Sequence, residues 1–150
     1  MATGEMVKIT FRVEPDRGNG IVGETLWAEQ VGPGRFRLAN TPFYVLGLSC
    51  RDVVFGRRRR SGVLAFAGAS LRGGHSTVWI ALHVDWDAAV FRSRWAQLHE
   101  HGCRYESAGR FLAVDVPSAA DFSVVEALLE AGAVADLWDY EVAHCGHPAG

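Results

Sequence analysis

Apolar and polar residues alternate over positions 7–13, the period-two signature of a strand buried on one face. The same alternation continues over 21–31, with Leu26 and Ala28 opposite Trp27. Pro15 to Gly20 supply the first turn, and Gly32, Pro33 and Gly34 close the next hairpin. Positions 36–38 begin a return strand that Asn40, Thr41 and Pro42 interrupt. Positions 43–50 are apolar but broken by Gly47, which predicts an irregular segment or one helical turn. Two further strands are predicted over 52–56 and 63–70, joined by a turn at 57–62. Five short strands without a helix imply a small antiparallel barrel-like unit or a curled sheet.

The period changes after Gly73 and Gly74. A strand over 77–84 leads to Asp85, a helix cap, and Asp87, an acid at the helix's positive end. Ala88, Phe91, Trp95 and Leu98 then recur at helical spacing over 87–101, and Gly102 is the stop. Positions 103–107 and 110–116 form a hairpin about Ala108 and Gly109. Ser118 and Asp121 resemble a capping box for a helix buried through Phe122, Val125, Leu128 and Leu129 and stopped by Gly132. A last strand follows over 135–142. The order β-α-β-β-α-β is the ferredoxin-like arrangement, with the strands from Thr77 and Arg110 in the middle and both helices on one face. The expected fold class is α+β: a β-barrel-like unit over 1–72, a ferredoxin-like unit over 73–145 and a loose tail over 146–150.

Strand parity names what the helix-free face carries. Val78, Ile80, Leu82 and Val84 point at the helices, as do Leu112, Val114, Val116, Trp138, Tyr140 and Val142. Trp79, His83, Phe111, Asp115, Leu137, Asp139 and Glu141 face the other way. An aromatic and acidic surface has three readings. The N-terminal strands cover it as a wet seam, it forms a cleft in which a His and a carboxylate exchange protons, or it is a dimer or partner surface. Aromatic residues on two middle strands also suit an RNA platform, but the neighbouring acids oppose phosphate binding.

Charge and composition narrow the classes further. The net charge is −2, which draws the chain to neither nucleic acid nor membrane. Hydrophobic residues make up 49%, enough for a proper core. No stretch reaches the length of a membrane span, and residues 1–5 carry no basic segment leading into an apolar one. Cys50, Cys103 and Cys145 are odd in number and irregularly spaced, which fits a reducing cytoplasm rather than a disulfide framework.

Other motifs carry little chemistry. His144, Cys145 and His147 resemble a metal hook, but zinc needs three or four converging ligands, so no metal or cofactor is expected. Arg57 to Arg60 form a charged turn suited to solvent or an acidic partner. His75 and Ser76 follow a glycine pair but lack the nucleophile elbow of hydrolases, and no P-loop or dinucleotide fingerprint occurs.

An ordered set of segments carries a resemblance. Positions 26–29, 34–43, 51–54, 74–77 and 138–141 together resemble the bacterial family catalogued as domain of unknown function 4265. That family implies no activity. It adds weight to Trp27, Asn40, Pro42, Phe43, Asp52, His75, Ser76, Trp138, Asp139 and Glu141 as places to look.

The leading expectation is an accessory protein that binds a small molecule or peptide at the seam between the units. Trp79, Phe111, Ser76, Trp27 and Phe43 would contact the ligand. The alternative is a cofactor-free lyase, isomerase or cyclase using His75 or His83 with Asp115, Asp139 or Glu141. A third class is a homodimeric regulatory or toxin-immunity module.

Overall fold

The computed structural model describes residues 4–13 and 22–148. The turn expected at 15–20 and the end of the chain at 149–150 lie outside these residues. Among them are nine strands and two helices, an α+β arrangement.

The first sheet is an antiparallel meander of β1 (Met6–Arg12), β2 (Gly23–Gly32), β3 (Arg35–Leu38), β4 (Val53–Arg58) and β5 (Leu64–Leu71). It curls until β1 and β5 meet side by side at Thr10 and Ala65. Alternation decides what lies inside: Ile9, Phe11, Leu26, Ala28, Phe36, Leu38, Val54 and Leu64 form the interior with Leu48. Trp27 faces out, as parity requires.

The second sheet is built from β6 (Ser76–Leu82), β7 (Arg104–Ala108), β8 (Phe111–Val116) and β9 (Trp138–His144), in the order β7-β8-β6-β9. Helices α1 (Ala88–Glu100) and α2 (Phe122–Val134) supply Phe91, Leu98, Val125 and Leu129 to a core shared with Val78, Ile80, Leu82, Leu112, Val114, Val116 and Trp138. The element order and the central position of β6 and β8 therefore follow the sequence pattern. Neither helix is long and apolar enough to cross a membrane.

Several local expectations are corrected. Asp87, not Asp85, caps α1: its Oδ1 accepts the Ala89 and Val90 N–H groups at 2.8 and 3.0 Å. A turn closed by the Trp86 N–H on the His83 carbonyl leaves Asp85 exposed before the helix begins. Val84 lies beyond β6 and is 81% exposed. Asp121 itself caps α2, through the Ser123 N–H and hydroxyl, and Ser118 sits upstream in the connection. Gly132 does not stop α2. It lies in the last turn because a Cβ there would stand 2.3 Å from the indole of Trp138. The chain reverses instead at Asp136, whose φ is 56°. That reversal removes Leu137 from the parity of β9 and puts it in the helix-side core. Arg57 and Arg58 belong to β4, and the turn tightens to the hydrogen bond from Arg59 N–H to the Val63 carbonyl.

The tail is not loose as far as residue 148. His147 Nε2 donates to the Pro117 carbonyl at 2.8 Å, so its Nδ1 accepts from the Ser76 hydroxyl at 2.6 Å. The Gly146 N–H donates to the same hydroxyl.

The stretch between β3 and β4 joins the two sheets. Three carboxylates hold it through backbone N–H groups, short charge-assisted bonds that fix an irregular path. Glu24 accepts from Phe43, Tyr44 and Val45 at 2.6, 3.0 and 3.1 Å. Glu106, from β7, accepts from Thr41 at 2.9 Å. Asp52 accepts from Ser49 and Gly73 and pairs with Arg72. A buried chain runs from His144 Nδ1–H to Ser49, to Thr77 and to the Leu48 carbonyl.

Candidate functional site

Parity places Trp79, Phe111 and Asp115 on the side away from the helices, but most of that face is covered. Trp79 is 6% exposed and its indole donates to the Pro42 carbonyl at 2.8 Å. Phe43 lies 6.4 Å from Phe111, ring centre to ring centre, and Ala113 and Ala143 complete a small dry cluster. Trp79, Phe111 and Phe43 are thus packing residues. Trp79 is buried there, and Phe43 and Phe111 are half-buried against it.

Of the carboxylates expected beside His83, Asp115 is excluded by register and Asp139 is met. Asp115 lies opposite Thr77, whereas His83 follows the far end of β6. Six residues of extended chain separate these levels by roughly 20 Å. Two separate His–Asp pairs result. His83 bonds to Asp139 through Nε2 at 3.2 Å and to the Asp136 carbonyl through Nδ1 at 2.7 Å. The bond to Asp139 raises the His83 pKa above the usual imidazole value. Asp139 is largely exposed, so this pair is a surface contact.

The other pair is more enclosed. His75 Nδ1 and Asp115 Oδ1 lie 2.8 Å apart, and both side chains are mostly buried. Burial raises the Asp115 pKa, and the hydrogen bond and charge of His75 oppose that rise. The pair borders a cleft of about 600 Å³ between the β3–β4 stretch and the second sheet, lined also by Cys50, Arg51, Arg104 and Glu106. Arg104 stands directly across from Asp115 on the neighbouring strand. Burial pushes the Cys50 thiol up to about 11, so it is a neutral wall group rather than a thiolate nucleophile.

The remaining sequence candidates lie elsewhere. Ser76 is fully buried, and its hydroxyl is engaged by His147 and Gly146. Trp27 is on the outer surface beneath Lys8, whose Nζ is 5.1 Å from the ring centre. Glu141 is opposite Trp79 on β9, away from the His75 cleft. Among the described residues no group of three or more His, Cys, Asp or Glu side chains could hold a metal. His144 and His147 turn their rings to Ser49 and Ser76 respectively.

Arg51 and Arg104 were not visible as site residues in the sequence. Arg104 is one of many polar positions on an exposed strand, and Arg51 enters the cleft only because the chain turns sharply there. The cross-strand partner of Asp115 was the one available signal.

The family assignment agrees with the ordered segments. Residues 24–140 match the family model described as Domain of unknown function (DUF4265), and the chain belongs to that family. A solved structure of a hypothetical protein from Neisseria gonorrhoeae is similar over 95% of this chain and 96% of that one, with a TM-score of 0.78 and 21% identity. At that identity the likeness speaks for the fold alone. A comparison with curated protein sequences finds no match.

Proposed function

We propose that this protein binds a small polar molecule in the cleft beside His75 and Asp115. The cleft lies where the β3–β4 stretch of a barrel-like unit meets a ferredoxin-like unit. The strand order and the contact of β1 with β5 support those names for the units. The observation that carries the proposal is the enclosed 2.8 Å His75–Asp115 bond at the edge of a cleft large enough for a metabolite. A small molecule fits better than a peptide, because the middle of the seam is packed with Trp79, Phe43 and Phe111.

A second reading follows from the same bond. A carboxylate on Nδ1 orients the imidazole and leaves Nε2 as the proton acceptor, the arrangement used in general-base catalysis. The protein would then be a cofactor-free lyase, isomerase or cyclase, with His75 as base and Asp115 as its positioning residue. Thermal-shift screening of a metabolite library against the native protein, His75→Ala and Asp115→Asn tests both readings. Compounds that stabilise the native protein and not His75→Ala are expected. A library in which every hit survives both substitutions would remove the cleft from consideration. Turnover of a hit, with a pH profile abolished by His75→Ala, would favour the enzyme.

A further inference from the structure

We infer that the molecule taken by this cleft carries a small oxyanion, a carboxylate or phosphate, gripped by Arg51 and Arg104; this rests on the binding reading above. The first observation is a strained backbone. Arg51 has φ 76°, and Asp136 is the other non-glycine residue with positive φ among those described. Asp136 needs no special account, since a short polar side chain tolerates that region and the chain reverses there. Arginine has no such dispensation. A long side chain in this conformation persists only where its surroundings over-determine it, and such positions gather at ligand sites.

The surroundings here do so. The Arg51 N–H donates to the Leu38 carbonyl at 2.9 Å, and Asp52 N–H closes a turn on the Ser49 carbonyl at 3.1 Å. Gly73 packs so tightly that a Cβ on it would lie 2.6 Å from the Arg51 carbonyl oxygen. The Asp52 carboxylate ties both strands of this contact together through Ser49 and Gly73. The backbone is therefore fixed by residues on either side, while the arginine at its apex borders the cleft.

The second observation is the charge balance. The two acids of the cleft are already occupied: Asp115 by His75, and Glu106 by the Thr41 N–H and the Asn40 amide. Among the described residues, neither Arg51 nor Arg104 has a carboxylate within ion-pair distance, and both attract the Asp115 carboxylate only at longer range. Two guanidinium groups without a direct carboxylate contact, beside acids whose bonds are made elsewhere, suit an incoming anion, and their planar forks match carboxylate or phosphate oxygens. His75 then faces whatever the anion carries next to it.

The decisive variant is Arg51→Gly, because glycine adopts φ 76° freely. Calorimetric titration at low salt would use inorganic phosphate and malonate as separate probes. One of them should bind the native protein, which identifies the group recognised. Arg51→Gly and Arg104→Met should each weaken that binding at least tenfold, and Arg51→Lys should keep part of it. Arg51→Gly without ligand should melt no lower than the native protein. Failure of both probes to bind, or unchanged binding by Arg51→Gly, would overturn the inference. If neutral compounds still depend on His75 while neither anion binds, the oxyanion clamp fails and the cleft reading stands. If nothing binds in either experiment, both fail.

Discussion

Gly132→Ala should destabilise the protein, although helix propensity alone predicts the reverse. In an exposed helix interior the change gains about 1 kcal/mol. Here a Cβ would stand 2.3 Å from Cε2 and Cζ2 of Trp138 and 2.7 Å from its Nε1. Trp138 has no exposed surface, and its indole N–H donates to the Leu129 carbonyl at 2.8 Å. The ring cannot retreat without losing that bond or invading the core. Overpacking of this kind costs about 1–3 kcal/mol, and a stranded indole N–H adds about 1–3 kcal/mol. Set against the propensity gain, the net loss is about 1–5 kcal/mol, or roughly 2–20 °C in Tm for a chain of this size. Urea unfolding followed by tryptophan fluorescence would measure it. The exposed Ala127→Gly, which should cost about 1 kcal/mol by propensity alone, serves as the control. A Gly132→Ala protein as stable as the native one would refute the argument that Gly132 is retained for packing.

Other outcomes follow from the carboxylates and the histidines. Glu24→Ala leaves three N–H groups of residues 43–45 without their acceptor; a loss of about 1–3 kcal/mol is expected, with hydrogen exchange quickened first at those amides. His83 should titrate above the ordinary imidazole midpoint by NMR, and Asp139→Asn should bring it down. Because its folded pKa is raised, that pair's contribution is complete below the unfolded value and fades as pH rises through the folded one. His144 has the opposite sign. Burial lowers its pKa, so its stabilising share holds above the unfolded value near 6.5 and is lost as pH falls from there through the folded one. Unfolding free energies measured on both sides of that value should therefore decline on acidification, and His144→Gln should flatten the decline.

Periodicity made much of the architecture legible. The alternation in β6 and β8 separated Val78, Ile80 and Leu82 from Trp79 correctly, because both faces of those strands are bounded by different partners. It failed where chain direction changes inside one or two residues. Leu137 was misplaced because Asp136 adopts a left-handed conformation that no local pattern announces. Gly132 looked like a stop signal since a glycine's packing role depends on an indole six residues further on. The candidate site was only half visible. His75 and Asp115 could each be named from the sequence, but their pairing depends on a register 40 residues apart. Arg51 depends on a turn held by Gly73 and Leu38. A choice between His75 and His83 required knowing which end of β6 Asp115 stands against.

The stretch between β3 and β4 has an owner on each side of the chain. It is anchored by Glu24 from the first sheet and by Glu106 from the second, and it roofs the second sheet's aromatic cluster. A gene divided at Gly73 would therefore yield one fragment with a dangling roof and another with its ceiling open, the indole of Trp79 laid bare to water. Neither fragment should be stable by itself, and mixing them should restore a common melting transition.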